Sequence, residues 1–325
     1  MEKMTHTYPE QSRRIVCLGG GNAIPKAVLE GLKKHPEIKI SAISAMLDSG
    51  GSAGRERELF KTKVAFGDIR RAALALSNVS AKDKERFAYR FENGQVMANI
   101  YCTTCAITDG VEELLADLRE DLKIPQNYQL FPATLDDAAL CAKLDNGEIV
   151  RGETNIDVPK HNIYLKINKV FLEPEARAYG PALKAIQEAD LIVIGPGDLY
   201  SSLAQILLVK GISEAVRKSR AKKVYICNLM TKRGETDNFS VLDFTFEIER
   251  YLGQEVDRVV FNRNKSSAIR IANYKKEHPE LLELVKFSEI LDKGKFIGES
   301  ILTDSGPIAH HPDKLAKIIL NLCKP

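Results

Sequence analysis

Short, β-branched apolar runs alternate with amphipathic helical stretches along most of this chain. Arg14 to Leu18, Ile38 to Leu47, Asp190 to Ile194 and Lys223 to Cys227 are apolar runs that end at Gly, Asp or Asn. Runs of that kind are the signature of strands buried on both faces of a parallel sheet. Between them, helical spacing marks Ala23 to Lys34, Asp68 to Ser77, Glu112 to Leu122, Gly180 to Glu188 and Ser213 to Lys218. Pro25 suits a first helical turn, and Asp68 suits the cap of the helix carrying Arg70 and Arg71. The alternation predicts an α/β fold, a mostly parallel sheet covered by helices.

The middle of the chain breaks this rhythm. Ala138 to Leu144 and Glu148 to Thr154 flank Asp145-Asn146-Gly147, a strong hairpin turn signal, so a small antiparallel insertion is expected there. Ile163 to Phe171 reads as a further strand, and Val256 to Phe261 as a strand of the second half. Lys295 to Leu302 reads as the last strand and Pro312 to Leu322 as the last helix. The domain expectation is a flexible arm over residues 1–13 and one composite ligand-binding domain over residues 14–325.

Composition narrows the function classes. The 325 residues carry 47 Lys plus Arg against 44 Asp plus Glu, a net +3, too little for general attraction to nucleic acid or a membrane surface. Neither a spanning apolar run nor a signal-peptide core is visible, which predicts a cytoplasmic protein with no membrane insertion. The six cysteines are scattered, and Cys102-Thr-Thr-Cys105 has neither a second such pair nor a nearby His, so core packing is expected rather than zinc or disulfides.

Candidate chemistry gathers where strands end. Gly19-Gly20-Gly21-Asn22 follows the first strand and opens a helix, so backbone amides there can approach a phosphate without interference from Cβ atoms. Ile24 stands where the dinucleotide fingerprint needs its third glycine, which weakens a nicotinamide reading. Asp48-Ser49-Gly50-Gly51-Ser52-Ala53-Gly54-Arg55 combines an acid, hydroxyls, flexible amides and a cation, and reads as a polar loop. In it Asp48 suits ribose hydroxyls or a metal, Ser49 and Ser52 suit phosphate oxygens, and Arg55 suits bidentate phosphate contact. Gly67, Asp68 and Arg70 add a glycine, an acid and a cation at a helix start. Gly195, Gly197, Asp198 and Ser201 repeat the pattern after the strongest strand, and Asn228 and Thr231 follow the next one. Loops at carboxyl ends of neighbouring parallel strands share a crevice. His310-His311 suits proton transfer less well than capping, and no Ser/His/Asp order, P-loop or HExxH motif is present.

Taken in order, Gly19-Gly20-Gly21, Asp48 through Arg55, Gly67-Asp68-Ile69-Arg70, Arg90-Phe91-Glu92-Asn93-Gly94, Gly195 through Ser202 and Gly234-Glu235-Thr236-Asp237 resemble the CofD-like family. That family unites bacterial gluconeogenesis factors with 2-phospho-L-lactate transferases, and the resemblance runs from about Arg14 to about Leu320. Phe131-Pro132-Ala133-Thr134, Val150-Arg151-Gly152-Glu153, Val170 through Pro174 and Lys223 through Asn228 are similar to the gluconeogenesis-factor branch. The resemblance implies a modified Rossmann-like fold, a UDP-sugar or other nucleoside diphosphate ligand, a homodimer, and a regulatory role in carbon metabolism, cell-wall synthesis and cell shape. The transferase branch implies instead a magnesium-dependent transfer of a phospholactyl group from a nucleoside diphosphate donor to a deazaflavin acceptor. Asp48, Asp198 and Asp237 are its catalytic candidates, Asp48 its metal ligand with Asp198 as a second candidate, and His310, like Asp237, a candidate to assist the acceptor hydroxyl.

Three positions depart from the family pattern. Asn22-Ala23 replaces a Thr-Gly pair, Ser49 replaces a second aspartate that would share magnesium with Asp48, and the segment after Asn93-Gly94 lacks a Gly-His and is shorter. A nucleotide-gated regulator, a transferase and a partner-binding module with an empty crevice all stay open at this point.

Overall fold

A computed structural model describes residues 12–324. Most of the expected arm, up to residue 11, lies outside the described residues. In chain order the strands are β1 (Arg14–Leu18), β2 (Lys39–Ser44), β3 (Tyr128–Pro132), β4 (Ala139–Leu144), β5 (Ile149–Arg151), β6 (Ile167–Glu173), β7 (Leu191–Ile194), β8 (Lys222–Ile226), β9 (Met230–Lys232), β10 (Arg258–Asn262), β11 (Leu281–Leu284) and β12 (Phe296–Glu299).

Seven of them form one sheet in the order β12-β10-β8-β7-β1-β2-β3. Each pairing within it is parallel. The apolar runs dictate this, because their side chains serve both faces. In β1, Ile15 and Cys17 enter the core beneath one helical layer, while Val16 and Leu18 enter the core beneath the other. In β7, Leu191 and Val193 join the first core, and Ile192 and Ile194 the second. A modified Rossmann-like α/β fold is what this arrangement amounts to. No helix among the described residues is long and apolar enough to cross a membrane.

The chain builds outward from β1 to β2 and β3, then returns to the other side of β1 with β7, β8, β10 and β12. Direction therefore reverses between β1 and β7, and the loops leaving these two neighbours diverge around a crevice. Both loops open onto a π-helical turn, Pro25–Leu29 after β1 and Leu199–Ala204 after β7. Turns of this wide kind recur at functional sites.

The insertion is present as a three-stranded antiparallel sheet, β5-β4-β6, around the turn at Gly147, whose φ is +90°. Several boundaries differ from expectation. The second arm of the hairpin stops at Arg151, and Glu153–Asp157 is a short helix. The strand expected from Ile163 starts at Ile167. The glycine-rich Asp48–Arg55 segment is not a loop throughout, since a helix runs over Gly51–Phe60. Asp68 does not cap its helix: the helix begins at Gly67, and Asp68 lies within its first turn and is bonded by Arg71 Nη1 at 2.5 Å. The last helix spans Pro312–Leu322 as expected. All six cysteines are free, and Cys102 is fully buried in the core.

Candidate functional site

The crevice at the β1/β7 reversal has two lobes. The larger, 620 Å³, lies between the loops after β1, β7 and β8 and the C-terminal loops. The smaller, 290 Å³, lies between the loop after β2, the helix Gly67–Leu76, and the insertion helix Glu153–Asp157. Gly21, Asp198 and Ser202 border both lobes and form the neck between them.

The larger lobe combines polar and apolar lining. Gly20, Gly21, Asn22, Gly197 and Asp198 line it from the two glycine loops. A Cβ on Gly20 would overlap Asp68 Oδ2, so the loop after β1 packs directly onto the helix behind it. Opposite, Leu229, Met230, Leu281 and Ile308 supply apolar surface. Tyr274 and His278, whose rings lie 4.6 Å apart, complete an aromatic wall. Asn228 adds a buried Oδ1 with no partner among the described residues. His310 also lines the lobe, with its Nε2 3.2 Å from the Cys227 carbonyl, and burial pushes its imidazole down to about 4, so it is neutral at pH 7.

The smaller lobe is densely charged. Asp48, Asp68, Glu153 and Asp157 line it together with Arg70, Arg71 and Arg90. Burial, followed by the neighbouring Asp48 and Asp157 carboxylates, pushes Glu153 up to about 9. Burial also raises Asp48, opposed by a hydrogen bond from the Gly50 amide at 2.8 Å and reinforced by Asp68. Gln205, buried at the back, ties the halves together: its Oε1 accepts from the Leu47 amide at 3.2 Å and its Nε2 donates to the Ser201 carbonyl at 2.9 Å.

Lys232, at the end of β9, joins the lobes. Its ammonium pairs with Asp157, with Glu235 at 2.8 Å and with Asp198 at 3.8 Å. Burial opposes its charge, but the three carboxylates outweigh this and hold it protonated. Burial pushes Glu235 up to about 8 despite Lys232 beside it.

The described residues thus bring together Gly20, Gly21, Asn22, Asp48, Gly50, Gly51, Ser52, Asp68, Arg70, Gly197, Asp198, Ser201 and Asn228. Others named from the sequence stand apart from the crevice lining. Gly19 packs under Ile24, which a Cβ there would overlap. Ser49 Oγ bonds to Thr154 Oγ1 at 3.1 Å, joining the Asp48 loop to the insertion helix. Arg55 turns to the Asn93 carbonyl. Gly67 packs against Ala53, and Gly195 against the Ile226 carbonyl. Thr231 Oγ1 bonds to the Glu283 backbone at 3.4 Å, and Asp237 accepts from the Gly234 amide at 2.6 Å within its own turn.

Comparison with known proteins agrees with the fold. The family model described as 2-phospho-L-lactate transferase CofD matches residues 15–293. The chain belongs to the CofD family. Within the family it is 35% identical over 320 residues to the gluconeogenesis factor of Listeria innocua, covering 96% of each chain. It is 35% identical over 319 residues to the putative gluconeogenesis factor of Thermotoga maritima, covering 94% of this chain and 98% of that one. The crystal structure of a UPF0052 family member from Bacillus halodurans superposes with a TM-score of 0.87 at 32% identity, over 96% of this chain and all of the other.

Membership of the CofD family raises the question of magnesium. No three His, Cys, Asp or Glu side chains converge as metal ligands among the described residues. Asp48 already accepts from the Gly50 amide, and its neighbour is the hydroxyl of Ser49. With Asp68, Glu153 and Asp157 lining the same lobe, carboxylates are available to an ion that arrives with a ligand's phosphate oxygens and water, but among the described residues they do not form a resident site of three or more protein ligands.

Sequence reasoning passed over Glu153, Asp157 and Lys232, whose side chains complete the site. They belong to the insertion and to the small two-stranded β11-β9 sheet, and only tertiary structure brings them to the strand ends. The one available signal for Glu153 lay in the family-like stretch Val150-Arg151-Gly152-Glu153.

Proposed function

We propose that this CofD-family protein binds a nucleotide-sugar of the UDP-sugar class in the larger lobe and acts as a ligand-gated regulator of carbon metabolism and of cell-wall and cell-shape control. The observation that carries the reading is the pairing of two glycine loops, on either side of the β1/β7 reversal, with an aromatic and apolar wall opposite. Amides of Gly20, Gly21 and Gly197 suit a diphosphate, which Cβ-free backbone admits closely. Tyr274 and the apolar residues around it suit the flat face of a base, and neutral His310 and Asn228 suit its polar edge. The neck at Asp198 and Ser202 then receives the sugar hydroxyls. The family resemblance extends the reading to a cytoplasmic homodimer, which light scattering of the purified chain tests.

Calorimetric titration of UDP-N-acetylglucosamine, with and without magnesium, tests the ligand. Saturable binding of equal affinity in both conditions is expected, with the nucleotide recovered intact. Absence of binding overturns the reading.

The adjoining carboxyl groups of Asp48 and Glu153, one of which keeps its proton at neutral pH, favour a second reading as a phospho-group transferase, since such a pair can take up and release a proton. Consumption of a nucleoside diphosphate donor that depends on both magnesium and a deazaflavin acceptor would establish it.

A further inference from the structure

The smaller lobe contains a buried cation that no hydrogen bond or ion pair engages among the described residues. Arg70 is 7% exposed and lines this lobe, yet its guanidinium makes no hydrogen bond or ion pair among the described residues, and its Nε is buried without a partner. The nearest acid along its helix, Asp68, has Oδ1 engaged by Arg71 at 2.5 Å. Arg71 and Arg90 add further positive charge to the same lobe. Asn99, 3% exposed, also lines it with a buried, unpartnered Oδ1. A buried guanidinium without a counter-ion is costly, and so is a buried amide oxygen without a donor. Both residues line one 290 Å³ cavity, where a ligand can supply what they lack.

We propose that the smaller lobe binds a compact phosphate monoester on a hydroxylated carbon skeleton, as a second ligand beside the nucleotide. A phosphate matches the planar fork of Arg70, with Arg71 and Arg90 contributing charge. A hydroxyl donor matches Asn99 Oδ1. Asp48, Asp68 and Asp157 on the same lobe oppose a second anionic group, which limits the ligand to one charged end, and these side chains with Glu153 bond to further hydroxyls. The nucleotide's own diphosphate is kept from this role because Gly20 and Gly197 line only the larger lobe and the neck, which Gly21 shares, carries the Asp198 carboxylate. The proposal deepens the nucleotide reading by adding a partner ligand to the same crevice, and it stands or falls separately.

The test titrates inorganic phosphate and glycerol 3-phosphate into the full chain, followed by melting temperature and by phosphorus NMR line width. Both probes should bind saturably, glycerol 3-phosphate at least tenfold more tightly; equal affinity removes the hydroxylated skeleton, and no binding removes the site. Arg70→Met should abolish the response while the ligand-free protein melts at or above the wild-type temperature, since the variant loses an unpaired buried charge. An undiminished phosphate response in Arg70→Met places the anion elsewhere and overturns the proposal. If that variant does not fold, Asn99→Ala supplies the decision: it should weaken glycerol 3-phosphate at least fivefold and leave inorganic phosphate within twofold, and unchanged glycerol 3-phosphate affinity is the contrary result. UDP-N-acetylglucosamine should bind within twofold of its own affinity in saturating phosphate. Competition of tenfold or more means that Arg70 serves the nucleotide itself and ends the two-ligand reading. Phosphate binding without UDP-N-acetylglucosamine binding ends the nucleotide reading alone.

Discussion

Replacing Glu153 by glutamine should flatten the pH dependence of stability. Glu153 Oε2 accepts from the Ser49 amide at 3.3 Å, an interaction that a glutamine oxygen can keep. Burial, then Asp48 and Asp157, raise the carboxyl from 4.5 to about 9 in the folded protein. The folded protein therefore holds a proton that the unfolded chain releases near 4.5. Its contribution to stability is complete below that value and is lost as pH rises through about 9. One such proton gives a slope of about 1.4 kcal/mol per pH unit, hence at most about 3 kcal/mol between pH 6 and pH 8. Glu235, raised to about 8 by burial, adds a fall of its own in both proteins. The informative quantity is thus the difference between the two slopes. Urea denaturation of wild type and Glu153→Gln at pH 6, 7 and 8 measures it. The variant should lose stability less steeply by about 1 kcal/mol per pH unit. Parallel slopes would refute the argument, because they would mean that Glu153 ionises in the folded protein as it does in the unfolded chain.

Lys232→Met leaves Asp157, Asp198 and Glu235 without their shared cation, whose side chain is 9% exposed. The loss at pH 7.5 should be about 3–5 kcal/mol in urea denaturation and should shrink toward pH 5 as Asp198 and Glu235, both raised by burial, take up protons; a loss below about 1 kcal/mol would show that solvent already screens the cluster. Gly20→Ala drives a Cβ into Asp68 Oδ2 and to 3.2 Å from Ala45 Cβ, displacing the loop that carries the expected diphosphate amides. Calorimetry should show UDP-N-acetylglucosamine affinity falling at least tenfold, or about 1.4 kcal/mol, and affinity retained within twofold would clear the loop of that role. Arg55→Ala should leave that affinity within twofold, because the guanidinium is bound to the Asn93 carbonyl and stands apart from the crevice lining. A tenfold loss would show that it swings inward when ligand binds.

The parallel strands were legible because burial on both faces leaves a continuous apolar run, and the glycine loops because tight turns at strand ends need residues without Cβ atoms. The helix Gly51–Phe60 was not. Gly51 and Gly54 weaken helix propensity, so residues 48–55 look like a loop. Contacts remote in sequence hold that helix instead. The hydroxyl of Ser52 accepts from the Val96 amide at 2.7 Å and donates to Glu56 at 2.8 Å, and a Cβ on Gly54 would overlap the Ser49 carbonyl. Helical phase then decides which of the motif's polar residues meet the crevice, and it sends Ser52 inward and Arg55 toward residues 93–94. Arg70 and Arg71 show a similar limit. Both line the smaller lobe, but only Arg71 finds a carboxylate, a distinction that depends on where Asp68 sits in the turn.

The division of labour in this crevice follows from its topology. The parallel sheet places two glycine loops side by side whatever the intervening chain does, which accounts for the larger lobe. The smaller lobe owes one wall to the insertion, whose helix Glu153–Asp157 brings Glu153 to Asp48, Thr154 to Ser49 and Asp157 to Lys232. Every one of these contacts joins the insertion to a loop of the main sheet or to β9. Lys232 lines the larger lobe and Asp157 the smaller, so their ion pair is shared between the lobes. The same ammonium also pairs with Glu235 and Asp198, so the insertion helix is anchored to β9 as well as to the Asp48 loop.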